Sequence, residues 1–197
     1  MRHLVAAAFA ASVGLTLAAT AAPAQAYEID ILTRQPMIQN QVAEDGRPKA
    51  SAVPREIVSY SSKYAPGTIL ISTTERRMYF ILPGGQAVKY GVGVGRPGFE
   101  WSGMKTISRK AEWPGWTPPP QMLKRRPDLP RHMAGGPANP LGARAMYLGS
   151  SLYRIHGSNE PETIGQAVSS GCIRMTNEDV TDLYERVRIG TRVVVMR

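Results

Sequence analysis

From Thr68 onward the chain is written in short β-rich runs set off by turns. Thr68–Thr73, Arg77–Leu82 and Gln86–Val92 are strand-sized, and Pro83-Gly84-Gly85 supplies a turn between the last two. Such runs predict a meander of antiparallel strands. Met104–Arg109, Ala143–Leu148, Leu152–His156 and Thr191–Met196 continue the pattern. One segment breaks it. Val180, Leu183, Tyr184 and Val187 fall at i, i+3, i+4 and i+7. Thr176 and Asp179 fit a capping box, acids fill the first turn, and Gly190 can end the element, so Thr176–Val187 predicts an amphipathic helix. The expectation is a mainly β fold, a closed or nearly closed sheet with one helix near its C-terminal end.

Three further segments read differently. Prolines and glycines crowd residues 113–142, which predicts a long irregular loop; such loops in compact domains are often binding loops or lids. Gly91, Gly93 and Gly95 alternate, but no helical pattern follows, so a phosphate-binding loop is rejected. Residues 27–66 are polar, with five basic and five acidic side chains, and read as an N-terminal extension or linker with a short helix near Arg55–Tyr60.

The N-terminus predicts export. Arg2 precedes an Ala/Val/Leu-rich stretch, and Ala24-Gln25-Ala26 fits a cleavage signal, so residues 1–26 read as a secretory signal peptide cleaved after Ala26. No later stretch approaches the ~20 apolar residues needed to span a bilayer. The net charge is +9 and the basic excess lies after residue 66. An anionic polymer of the cell envelope suits that surface. Nucleic acid does not suit an exported chain whose longest basic run is Lys124-Arg125-Arg126.

Export sharpens the meaning of Cys172, the only cysteine. It cannot form an intramolecular disulfide, and it lies far from the site of lipid attachment. An intermolecular bond, a reactive thiol or an inert buried one remains. His132 and His156 are the available histidine partners. His132 sits in the proline-rich segment, whereas His156 ends a strand-like run, a firm platform. A histidine beside a thiol can act as its base or stabilise the thiolate. Gly171 permits a sharp turn and close substrate approach, and backbone N–H groups around Gly171 and Cys172 could face an oxyanion. Arg174, two residues past Cys172, shares its side of an extended chain. It reads equally as a fork for a substrate carboxylate or as a bridge to Asp179 or another acid. No carboxylate stands beside His156 to orient it; Glu160 and Glu162 are near in sequence. No second cluster of ligands suggests a metal.

His156-Gly157, a fifteen-residue gap and Ser169-Ser170-Gly171-Cys172-Ile173-Arg174-Met175 together resemble the signature of the L,D-transpeptidase family, with a YkuD-like catalytic domain of ErfK/YbiS type. The resemblance runs from about Gly67 to the C-terminus. It takes in Tyr90–Gly95, Trp113–Pro119, Asn139–Gly142 and Tyr153–Gly157. It implies a β-sandwich-like catalytic domain over residues 67–197, located in the periplasm, with Cys172 as nucleophile and His156 as general acid/base. It implies that the Gly157 carbonyl orients the ring, that Arg174 lines the site, and that no cofactor is used. Ser170 stands where many members have a second histidine, while Gly171, Trp113 and Trp116 are candidate substrate contacts. The implied partners are peptidoglycan stem peptides, with an envelope lipoprotein as an alternative acceptor. A non-catalytic wall-binding module is the contrasting expectation.

Overall fold

A computed structural model describes residues 53–197. The expected signal peptide and most of the expected linker lie outside the described residues. Three strands form the first meander: β2 (Ile69–Ser72), β3 (Arg77–Leu82) and β4 (Gln86–Gly91), each antiparallel to the next. The helix expected near Arg55–Tyr60 is instead a strand, β1 (Glu56–Ser59), paired antiparallel to β4. Pairing decides the outcome here. The free edge of β4 satisfies the segment's backbone groups, Glu56 forms an ion pair with Lys89 across the pair, and Val58 packs on the sheet face.

The sheet continues through β11 (Arg192–Met196), parallel to β2, and then β6 (Gly103–Glu112), antiparallel to β11. β6 runs past the expected end at Arg109. Its first half pairs with β11 and its second with β7 (Arg144–Leu148), with a register shift between Ile107 and Arg109. Such a shift bends a strand, so β6 turns the sheet from one half into the other. β8 (Arg154–His156) follows antiparallel to β7, and β10 (Ile173–Arg174) closes the order parallel to β8. Among the described residues these make a nine-stranded sheet, accompanied by a small pair of β5 (Val94–Gly95) and β9 (Ala167–Ser169).

The sheet curls over one main core. Ile69, Ile71, Met78, Tyr90, Ile107, Met146, Ile155, Ile173 and Val193 all meet there. The opposite face of the first meander is covered too, by Leu70, Ile81, Ala87 and Val194 under Tyr60 and Tyr79. Each fully buried aliphatic side chain contributes roughly 1.5–3 kcal/mol.

The predicted helix is α2 (Asn177–Arg186), which buries Val180 and Leu183 in the main core. Thr176 caps it, its Oγ1 accepting from the Asp179 N–H at 3.1 Å. At the other end Lys110 Nζ donates to the Tyr184 and Val187 carbonyls at 2.6 and 2.7 Å, where a cation also complements the helix dipole. Residues 113–142 are irregular except for a short helix, α1 (Pro120–Arg125), and a bridge between Trp116 and Met133. Among the described residues no helix is long and apolar enough to cross a membrane.

Candidate active site

The site lies where the sheet ends. The parallel pairing of β8 and β10 sets Ile155 against Ile173 and His156 against Arg174. Ile155 and Ile173 point into the core. Side chains alternate along a strand, so Arg154, His156, Cys172 and Arg174 share the other face. Cys172, one residue before β10, falls opposite Arg154 and diagonal to His156 in this register. The sequence spacing of His156 and Cys172 thus becomes a common face of neighbouring strands.

The turn before Cys172 is held from several sides. Gly171 has φ +103, a conformation that favours glycine, and an added β carbon would lie 2.5 Å from the Tyr153 ring. Ser169 Oγ donates to the Cys172 carbonyl at 2.6 Å and accepts from the Gly171 N–H at 3.0 Å. That corrects the expectation for Gly171: its N–H is engaged within the turn rather than free for a substrate. The Trp101 indole N–H donates to the Gly171 carbonyl at 2.7 Å, and the Trp101 ring stacks on Tyr153 at 4.6 Å between centroids. Gly95 passes so close to this turn that a β carbon there would collide with the Phe99 carbonyl, which accounts for one glycine of the alternating set.

His156 is 5% exposed. Its Nδ1 lies 2.6 Å from the Gly157 carbonyl oxygen. A carbonyl can only accept, so Nδ1 carries the proton and Nε2 is left with its lone pair. Burial, reinforced by the Arg174 charge, pushes the imidazole pKa down to about 3, so the ring is neutral at ordinary pH. Cys172 is half-buried and its thiol reaches the Leu152 carbonyl at 3.7 Å. Burial pushes the thiol pKa up, and the positive charge of Arg154 pulls the other way, helped by Arg174. Arg154 also donates to the Leu152 carbonyl at 3.1 Å.

Arg174 Nη1 binds Glu160 at 2.8 Å and reaches Thr163 Oγ1 at 3.4 Å. Of its two expected roles the bridge is formed, and to Glu160; Asp179 faces Arg55 at 3.5 Å instead. Ser170 Oγ accepts from Arg96 at 3.3 Å. Ser170 and Arg174 flank Cys172 and line a cleft of about 510 Å³ with Trp116, Arg96, Arg125 and Glu160. Trp113 is exposed, with φ +40, and is not among the lining residues. His132 stays in the proline-rich segment, Nδ1 at 3.1 Å from Thr117 Oγ1. Among the described residues no group of three His, Cys, Asp or Glu side chains could hold a metal ion.

Sequence reasoning missed Arg154, Trp101 and Arg96. Arg154 carried a signal, because it stands two residues before His156 on a strand and so shares its face. Trp101 and Arg96 carried none, since their place depends on tertiary folding.

A curled sheet thus presents a cysteine and a neutral histidine on a common face of adjacent strands. Residues 66–195 match the L,D-transpeptidase catalytic domain (YkuD), and the chain belongs to that family. It is 39% identical over 137 residues to "Probable L,D-transpeptidase ErfK/SrfK" of Escherichia coli, covering 65% of this chain and 43% of that protein. It is 38% identical over 134 residues to "Probable L,D-transpeptidase YbiS" of Escherichia coli, covering 64% and 43%. The chain thus spans less than half the length of these relatives. The fold is shared with the L,D-transpeptidase from Mycobacterium smegmatis, at TM-score 0.54 and 16% identity over 66% of this chain and 58% of that one.

Proposed function

We propose that this protein is an exported, periplasmic L,D-transpeptidase acting on peptidoglycan stem tetrapeptides. The observation that carries the reading is the shared face of Cys172 and a buried, neutral His156 whose Nδ1–H is held by the Gly157 carbonyl. Family membership supports it. His156 Nε2 takes the thiol proton as Cys172 Sγ attacks the carbonyl of the diaminopimelate–D-alanine amide. The S–C bond forms, the C–N bond breaks, and the proton passes from His156 to the departing D-alanine amine. The Cys172 N–H faces the oxyanion. The side-chain amine of a second stem then attacks the thioester: the C–N bond forms, the C–S bond breaks, and the amine proton passes through His156 back to the Cys172 sulfur, giving a 3–3 cross-link. No cofactor or metal takes part. Trp116 and Arg174 flank the bound donor, and the basic surface suits the anionic sacculus.

The test is intact mass after exposure to a stem tetrapeptide and, separately, to a carbapenem. One adduct on the wild-type protein, absent from Cys172→Ala, is the expected result, with release of D-alanine from the peptide. His156→Gln slows acylation by about 10²–10⁴. A well-folded wild-type protein that takes neither adduct returns the chain to the wall-binding reading. Product masses then separate a stem amine, a lipoprotein lysine and water as acceptors.

A further inference from the structure

The cleft beside Cys172 is lined by the guanidiniums of Arg96, Arg125, Arg126 and Arg174 against the single carboxylate of Glu160. Two of those cations are already paired. Arg174 binds Glu160 at 2.8 Å, and Arg126 forms a fork on Asp128 at 2.8 and 2.6 Å. Arg96 and Arg125 have no acid partner among the described residues. These two converge on one ring. The Cζ of Arg96 lies 4.2 Å from the Phe99 centroid and that of Arg125 lies 5.8 Å from it. They come from different elements. Arg96 directly follows β5 and is held by Ser170, two residues before Cys172. Arg125 ends α1, on the proline-rich segment.

Like charges gathered at one place repel, and the aromatic face offsets only part of that. An anion seated between them would relieve the repulsion. The planar fork of a guanidinium matches a carboxylate, with charge-assisted hydrogen bonds from each side. We propose that Arg96 and Arg125 form a clamp for a free carboxylate of the stem peptide, so that the cleft selects stems whose carboxylates are not amidated. The proposal rests on the stem-peptide reading above. A stem peptide offers three sources of this chemistry: the glutamate, the diaminopimelate side arm and the terminal D-alanine. Because one jaw belongs to the proline-rich segment, an occupied clamp also ties that segment to the floor of the cleft.

Calorimetric titration of the Cys172→Ala protein tests this without turnover. The ligands are the free-acid tetrapeptide and its three single amides. One amide, which identifies the carboxylate, is expected to bind about tenfold more weakly than the free acid. In Arg96→Gln or Arg125→Gln, each made on the Cys172→Ala protein, that gap shrinks to about twofold or less. Lys124→Gln removes a charge from the same helix outside this cleft, and it keeps the gap. The proposal is overturned if no amide weakens binding, if the gap survives both arginine substitutions, if Lys124→Gln erases it equally, or if the free acid does not bind. Failure of the transpeptidase reading shows elsewhere, as a wild-type protein that gains no mass from the tetrapeptide. A clamp that discriminates in a protein forming no acyl-enzyme would belong to a wall-binding module.

Discussion

The half of the sheet built from β2, β3, β4 and β11 and the end built from β8 and β10 are held together by different means. In the first, both faces are covered, and the β2 residues Ile69–Ser72 are all buried. In the second, the strands are three and two residues long. Their outer face is fixed by polar contacts: Ser169 to Cys172, Trp101 to Gly171, His156 to Gly157 and Arg174 to Glu160. Burial is non-directional and gives stability, whereas hydrogen bonds of defined geometry give position. Stability and placement are thus separable in this molecule.

Substitutions in the two regions sharpen or break that separation. The largest effect is expected at Gly171→Ala. The added β carbon meets Tyr153 at a backbone angle that favours glycine, so the Cys172 turn must move. Acylation falls by about 10² or more, since a displacement of roughly 1 Å in a reacting group costs that much, while melting temperature changes far less. An acylation rate matching wild type would show that the turn does not position the thiol.

Ile71→Ala should do the reverse. It opens a cavity in the main core and lowers unfolding free energy by about 2–5 kcal/mol, read from the denaturant midpoint. Acylation per folded molecule stays within about twofold of wild type; a larger loss would mean that core packing and site geometry are coupled.

The smallest effect belongs to Arg154→Met. Its charge favours the thiolate, so removing it raises the thiol pKa further. The alkylation rate with iodoacetamide, plotted against pH, then rises only at higher pH than in wild type, and the neutral-pH rate drops several-fold. Arg154→Lys restores part of the profile. An unchanged profile would assign Arg154 to packing alone.

The parts legible in the sequence are those set by local rules. The meander from β2 to β4 follows from β-rich runs and the Pro83-Gly84-Gly85 turn, and α2 from its periodicity and the Thr176 cap. The His156–Cys172 relation was legible through motif resemblance, and its common face follows from strand register. β1 was not legible, because Ile57 is exposed and the strand owes its existence to the edge of β4. Nor were β5 and β9, whose brief pairing depends on distant backbone. α1 was hidden among prolines and carries no buried side chain. Arg96 was invisible for a different reason. Its meaning comes from what fails to pair with it, and an inventory of charges along a chain does not contain that.

The neutral His156 has a consequence for the life of the protein between substrates. With the imidazole uncharged and the thiol pushed upward by burial, the resting site holds little thiolate. The thiolate is the form that attacks peroxides and disulfides, so a cysteine kept as the thiol is shielded from sulfenic acid and mixed disulfides until His156 takes its proton. Slow reaction of the resting enzyme with an aromatic disulfide at neutral pH is the mark of that reserve; fast reaction would mean that the sulfur idles as an ion. A single thiol, kept protonated, can then be both the most reactive atom of the enzyme and one of its most durable.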